Sequence, residues 1–242
     1  MAARRWRRPR AAAIVLALAA IALFVALGRW QLRRGHEKAE LFAAFDHAEQ
    51  QPAVSLEQAR REASPAHYPR VRIHGRYDPL HAYVLDDQVR GGRTGVIVFD
   101  VFEPAAGGRP LLANQGFLAF GARGERPPIP PPPDGARTLD ALYAPPPGAG
   151  LRLGGDVWAR QPAWPKFGIS IDLDELGRDL GRRLDPHVLL LLPEPGSAFA
   201  REWRPEVFPP ERHYAYAFTW FTSAAATAAL FAFLHRPGGR ST

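Results

Sequence analysis

The sequence predicts a membrane protein in which two transmembrane helices bracket one extracytoplasmic α+β domain, its sheet mainly antiparallel and partly barrel-like. Three observations predict this. Residues 213–234 form an aromatic-led run without a charged residue, residues 11–27 form a second apolar run, and several segments between 68 and 192 read as strands, by period-two alternation from Tyr68 to Tyr77 and by β-branched and aromatic runs such as 94–103. The expected organisation is a basic cytoplasmic tail at 1–10, a first transmembrane helix at 11–27, an extracytoplasmic domain at 28–212, a second transmembrane helix at 213–234 and a short cytoplasmic tail at 235–242.

The two spans differ in character. From Tyr214 to Leu234 there are 21 residues, which at about 1.5 Å per residue rise about 31 Å, close to the thickness of the hydrocarbon core. Tyr214, Tyr216, Phe218, Trp220 and Phe221 occupy its first third, where amphipathic rings favour the water–lipid interface, and the small residues at 223–229 suit close helix packing. The 17 residues at 11–27 carry no polar side-chain atom and sit near the lower limit for a span. A cleaved signal peptide is the competing reading of a basic start followed by an apolar run. The bulky end Phe24-Val25-Ala26-Leu27 and the interfacial Trp30 favour an uncleaved anchor.

Charge locates the tails. Of 242 residues, 31 are Lys or Arg and 24 are Asp or Glu, a net +7. Arg4, Arg5, Arg7, Arg8, Arg10, Arg236 and Arg240 account for all of it, so the middle is neutral and nucleic acid is not an expected partner. Arg29, Arg33, Arg34 and Lys38 flank the other side of the first span, but the middle segment is far longer than the roughly 60 residues over which loop charge controls orientation. Both termini are therefore expected in the cytoplasm. The chain has no cysteine and one methionine, Met1, which excludes disulfides, thiolate metal sites and a cysteine nucleophile.

Taken in order, helical spacing continues from Leu32 to Gln50 with a possible break at Gly35, and Ser55-Leu56-Glu57-Gln58 has the form of a capping box for a short helix to about Ala63, stopped by Pro65. Strands are expected at 68–77 and 83–85, a turn at Gly91-Gly92-Arg93, and longer strands at 94–103 and 110–119, together an antiparallel meander. Six of the seven residues from 127 to 133 are proline and predict a stiff surface crossover. Further strands are expected at 138–143, 156–159 and 187–192, with a helix at 172–184 whose acids and arginines match the helix dipole.

No phosphate-binding loop, dinucleotide fingerprint, nucleophile elbow or zinc-protease helix is present. The acid groups Asp86-Asp87 and Asp172, Asp174 and Glu175 sit where a strand end and a helix cap would place them, and no catalytic residue is predicted. His213 stands out at the mouth of the second span, because imidazole is the usual protein ligand to haem iron. Trp220, seven residues on, returns to within about 20° of the same helical face and offers a flat surface for a porphyrin. Position alone leaves open that both are interfacial anchors.

Three stretches resemble the Surfeit locus protein 1 family of cytochrome oxidase biogenesis factors. They are Leu27-Gly28-Arg29-Trp30-Gln31-Leu32 with Arg34 and Lys38; Gly75-Arg76-Tyr77-Asp78 with Gly95 and Leu112-Ala113-Asn114-Gln115-Gly116-Phe117; and His213-Tyr214-Ala215-Tyr216-Ala217 with Thr219-Trp220-Phe221. Gln115, Phe117 and Thr219 stand where the family pattern carries Arg, Trp and Gln, while His213 and Trp220 match it. The resemblance implies a bacterial inner-membrane factor, not an enzyme, that aids maturation of an aa3-type oxidase. It further implies that haem a is bound, with His213 as the metal ligand, and that the partners are the enzyme that makes haem a and the oxidase core subunit. The bacterial inner membrane is expected because no Arg-rich, Ser-rich transit segment precedes the first span, and with both termini cytoplasmic the main domain is then expected in the periplasm. The alternative is a span–domain–span sensor or scaffold without haem, against which stands the short stretch after Leu234, eight residues with no room for an output domain.

Overall fold

The computed structural model describes residues 10–64, 67–147, 157–205 and 207–235. It separates into two compact units, one of residues 1–41 and 207–242 and the other of residues 42–206. Two long apolar helices, α1 (Ala11–Ala48) and α4 (Pro210–His235), flank a mixed-sheet domain in the chain. Both are long and apolar enough to cross a bilayer.

α1 runs unbroken for 38 residues, through Gly35. α4 opens at Pro210, three residues earlier than the charge-free run implies, because proline at a first helical position has the required φ and forfeits only an N–H that would lack a helical partner. α2 (Leu56–Glu62) is capped by Ser55, whose side chain accepts from the Gln58 backbone N–H. The capping box is only half made: the Gln58 amide turns forward to Glu62 Oε1, 2.8 Å away, rather than back to the cap. α2 gives way to the chain at Ala63, its C-cap, and Pro65, expected to stop it, lies outside the described residues.

β1 (Arg70–Arg90) joins what the sequence reads as two strands into one of 21 residues. Register slips between Tyr77 and Ala82 and between Leu85 and Gln88 absorb the interruption, and the Asp78 carboxylate accepts from the Leu80 N–H inside it. Gly91 and Gly92, with φ of +55° and +75°, make the two-residue hairpin into β2 (Arg93–Pro104), a turn that needs positive φ at both positions. β3 (Leu111–Ala119) pairs antiparallel with β2, as the meander predicts.

The meander ends there. β4 (Ala136–Ala144) pairs with β1 rather than β3, and β6 (Val188–Leu191) inserts between β3 and β4, parallel to β3. A three-residue strand, β5 (Lys166–Gly168), was not foreseen and lies parallel to β1 at Tyr83–Leu85. The sheet order is β2-β3-β6-β4-β1-β5 with an additional β1–β2 pairing, so the circuit of hydrogen bonds from β1 through β2, β3, β6 and β4 returns to β1. Four pairings are antiparallel and two are parallel, which makes the sheet mixed.

Two further expectations are corrected. Residues 157–160 form a turn, not a strand, because Trp158 folds into the core and its indole lies against Gly168, where an added Cβ would come within 2.3 Å of Trp158; Asp156 lies outside the described residues. The Gln161 side chain closes this loop, accepting from the Phe167 N–H and donating to its carbonyl. α3 (Leu173–Asp179) is shorter than the 172–184 reading: Gly181 takes φ +69° and the Arg182 N–H bonds the Gly177 carbonyl at 2.9 Å, a Schellman stop. The proline run joins no ladder, and Ile129 within it packs on the cluster of Val84, Val96 and Val98.

Alternation on the strands builds two larger apolar clusters. Val71, Ile73, Tyr77, Phe102, Leu139 and Tyr143 belong to one; Tyr83, Ile97, Phe99, Leu112, Trp158 and Leu176 belong to the other, each side chain contributing about 1.5–3 kcal/mol by burial. Polar groups inside are paired with care. Lys166 Nζ meets Asp179 Oδ1 at 2.5 Å, with Tyr83 Oη donating to the other carboxylate oxygen, and Asp185 accepts from Tyr143 Oη at 2.5 Å and from Arg60.

Asp100 is less fully paired, as are Asp86 at Oδ1 and His187 at Nδ1, buried atoms without a hydrogen-bond partner among the described residues. The register between β2 and β3 slips at Gln115, next to Gly116 with φ +123°, and this bulge directs the Gln115 amide onto Asp100 Oδ2 at 2.7 Å. Asp100, 1% exposed, thus receives a neutral donor from Gln115 rather than a counter-charge. Its Oδ1 has no hydrogen-bond partner among the described residues. Burial pushes its carboxyl up to about 6, against the opposing pull of the Gln115 hydrogen bond. Because the folded state holds this proton more tightly than the unfolded chain, stability falls as pH rises from about 4 through 6. Unfolding midpoints of the wild type and Asp100→Asn, compared between pH 4 and 7.5, are expected to diverge over that window by up to about 3 kcal/mol, with the variant lacking the decline.

Candidate functional site

The apolar sequence of α1 and α4 makes both helices, but their pairing depends on two residues without side chains. In the unit formed by residues 1–41 and 207–242, half-buried and buried positions on α1 recur at 17, 20, 21, 24, 27, 28, 31, 32, 34, 35, 38 and 39, and on α4 at 210, 213, 214, 217, 220, 221, 223, 224, 227, 231 and 235. Spacings of three and four residues mark the facing seam of an antiparallel helix pair. Gly28 receives the ring of Phe221, and Gly35 receives the ring of Tyr214; a Cβ at either glycine would lie 2.8 or 2.5 Å from ring carbon. The glycines are seven apart and so are the rings, so each ring fills a gap one heptad from the other. Gly35, which costs the isolated helix up to about 1 kcal/mol, is thus a seat for Tyr214 rather than a break.

Both residues singled out in the second span turn toward α1. His213 is half-buried, and its Nδ1 lies 2.8 Å from Gln31 Oε1. An amide oxygen only accepts, so Nδ1 carries the proton, and in the neutral ring Nε2 then has the lone pair. Trp220 stacks on Phe24, with ring centroids 5.8 Å apart and planes 23° apart. Tyr214 also meets the edge of His36 at 5.8 Å. The shared face predicted for His213 and Trp220 is therefore the one toward α1, and each meets a different α1 side chain there.

Sequence reasoning missed Gln31 and Phe24 as the partners of these residues. The signal was available for Gln31, a polar side chain one turn past the apolar run and part of the Trp30-Gln31 motif; nothing local marks Phe24 among its apolar neighbours. The acid groups act structurally. Asp172 caps α3 by accepting from the Asp174 and Glu175 N–H groups, and Asp86 is paired with Arg126. Among the described residues, no three His, Cys, Asp or Glu side chains converge as a metal site would require.

Residues 18–225, which take in most of α1, the sheet domain and the first 16 residues of α4, match the model of the SURF1 family. The chain belongs to the SURF1 family. Its members are known in general as cytochrome oxidase assembly factors rather than enzymes. No curated protein matches the chain. The glycine seats, His213, Trp220, Gln31 and Phe24 all lie inside the matched span.

The seam makes a prediction whose sign is contested by two effects. Alanine at position 35 gains up to about 1 kcal/mol of helix propensity, whereas overpacking against a ring costs about 1–3 kcal/mol. Gly35→Ala is expected to lower the thermal midpoint of the detergent-purified chain, and the added Tyr214→Ala is expected to recover part of the loss. A midpoint raised by Gly35→Ala alone contradicts a ring seated there.

Proposed function

We propose that this SURF1-family chain is a membrane-anchored assembly factor for an aa3-type haem–copper oxidase. It holds haem a between the enzyme that makes it and the oxidase core subunit. It sits in a bacterial inner membrane with both termini cytoplasmic and residues 28–212 periplasmic. Support for the membrane comes from exposure: only 6% of the most apolar window of α1 and 11% of that of α4 are buried, and Leu16, Leu18, Leu23, Phe218 and Phe233 are exposed. Apolar surface of that extent is stable against lipid and unfavourable against water.

The observation that carries the haem reading is the His213–Gln31 hydrogen bond, which leaves Nε2 as the lone-pair nitrogen of the imidazole. Haem iron takes an axial nitrogen, and a neutral imidazole supplies it. The residues present fit the cargo: His213 would ligate the iron, and Trp220, with one face taken by Phe24, would offer its other face to the macrocycle. A single axial ligand from this chain suits a carrier that must hand its cargo on.

The optical spectrum of the chain, purified in detergent after co-expression with the enzymes that make haem a, tests this. His213→Ala is expected to abolish or strongly shift the bound-haem spectrum while membrane insertion is kept. Trp220→Phe is expected to reduce haem content less, since part of the stacking area survives. Wild-type haem content and spectrum in His213→Ala would place the site elsewhere.

A further inference from the structure

We infer that Gln31 is a positioning residue for the haem site: through its hydrogen bond it fixes His213 in the Nδ1–H tautomer and so presents Nε2 as the iron-binding nitrogen. This rests on the haem reading above. The geometry is specific. Gln31 lies on α1 and His213 on α4, 182 residues apart in sequence, and their side chains meet at 2.8 Å. Gln31 lies one turn past the apolar run from Ala11 to Leu27, and it uses its carbonyl oxygen on the imidazole. The neutral ring in water prefers the opposite tautomer, with the proton on Nε2, which leaves that nitrogen no lone pair for a metal. An acceptor at Nδ1 reverses the preference, orients the ring and raises the basicity of Nε2.

Because donor and acceptor come from different helices, the tautomer depends on the helix pairing that Gly28 and Gly35 permit. Parting the helices removes the acceptor, and with it the form of His213 that binds iron. Haem retention is thereby tied to helix contact.

Two measurements on the full chain in detergent test the inference separately from the haem reading. In the first, histidine side chains are labelled with nitrogen-15 in the haem-free protein, and the His213 signal is assigned by its absence from His213→Ala. The wild type is expected to show the Nδ1–H tautomer, and Gln31→Leu the Nε2–H tautomer. In the second, each protein is titrated with haem a. Gln31→Leu is expected to bind roughly 10–100-fold more weakly, the range found when the partner of a metal-ligating histidine is removed. Gln31→Glu, which keeps an acceptor at the same reach, is expected to restore both the tautomer and most of the affinity.

An Nε2–H tautomer in the wild type, or unchanged haem a affinity in Gln31→Leu, overturns the positioning role. If His213→Ala itself binds haem a as the wild type does, it is the haem reading that fails, and the tautomer measurement still reports on Gln31.

Discussion

Two missing side chains set the terms for the apolar helices. At Gly28 and Gly35 the backbone of α1 lies open, and the rings of Phe221 and Tyr214 occupy the space a Cβ would need. In lipid there is no hydrophobic gain from bringing two apolar helices together, so close packing and a few polar contacts must do it. Ring-on-glycine contacts supply the packing, and the His213–Gln31 bond supplies a polar contact between the two helices. The Phe24–Trp220 stack lies on the same seam. Register follows from the spacing, since rings and glycines recur at seven residues on both helices.

Much of the architecture was legible because it rests on local periodicity. Apolar runs of the right length gave both long helices, alternation gave the first half of β1, β-branched and aromatic runs gave β2 and β3, and the Gly91-Gly92 pair gave the hairpin. What failed was long-range. Nothing near β6 says that it slots between β3 and β4, and a three-residue strand such as β5 is too short to carry a period. Val157 to Ala159 looked like a strand for its apolar residues, but Trp158 is held by the later Gly168, whose lack of a side chain makes room for the indole. The early end of α3 was readable in principle, from Gly181.

The site was legible to a different depth. His213 and Trp220 drew attention through position and motif, and the family match over residues 18–225 covers both. Their partners did not, because antiparallel pairing of residues 24 and 31 with 220 and 213 is a tertiary fact. Burial pushes the Asp100 carboxyl up to about 6 although the Gln115 amide donates to it, and the Arg201 guanidinium bonds the Gln115 backbone oxygen at 2.8 Å and its side-chain oxygen at 3.3 Å.

The central claim is that α1 and α4 pair through this seam in the membrane, and the chain, with no cysteine of its own, allows it to be measured directly. Cysteines at Phe24 and Trp220, treated with a short bis-maleimide in isolated membranes, should join the two helices, read as linked fragments after cleavage of the intervening domain. Cysteines at Leu23 and Phe218, both exposed and off the seam, should not. Equal linkage of both pairs, or none at 24 and 220, would contradict the pairing and the placement of His213 opposite Gln31.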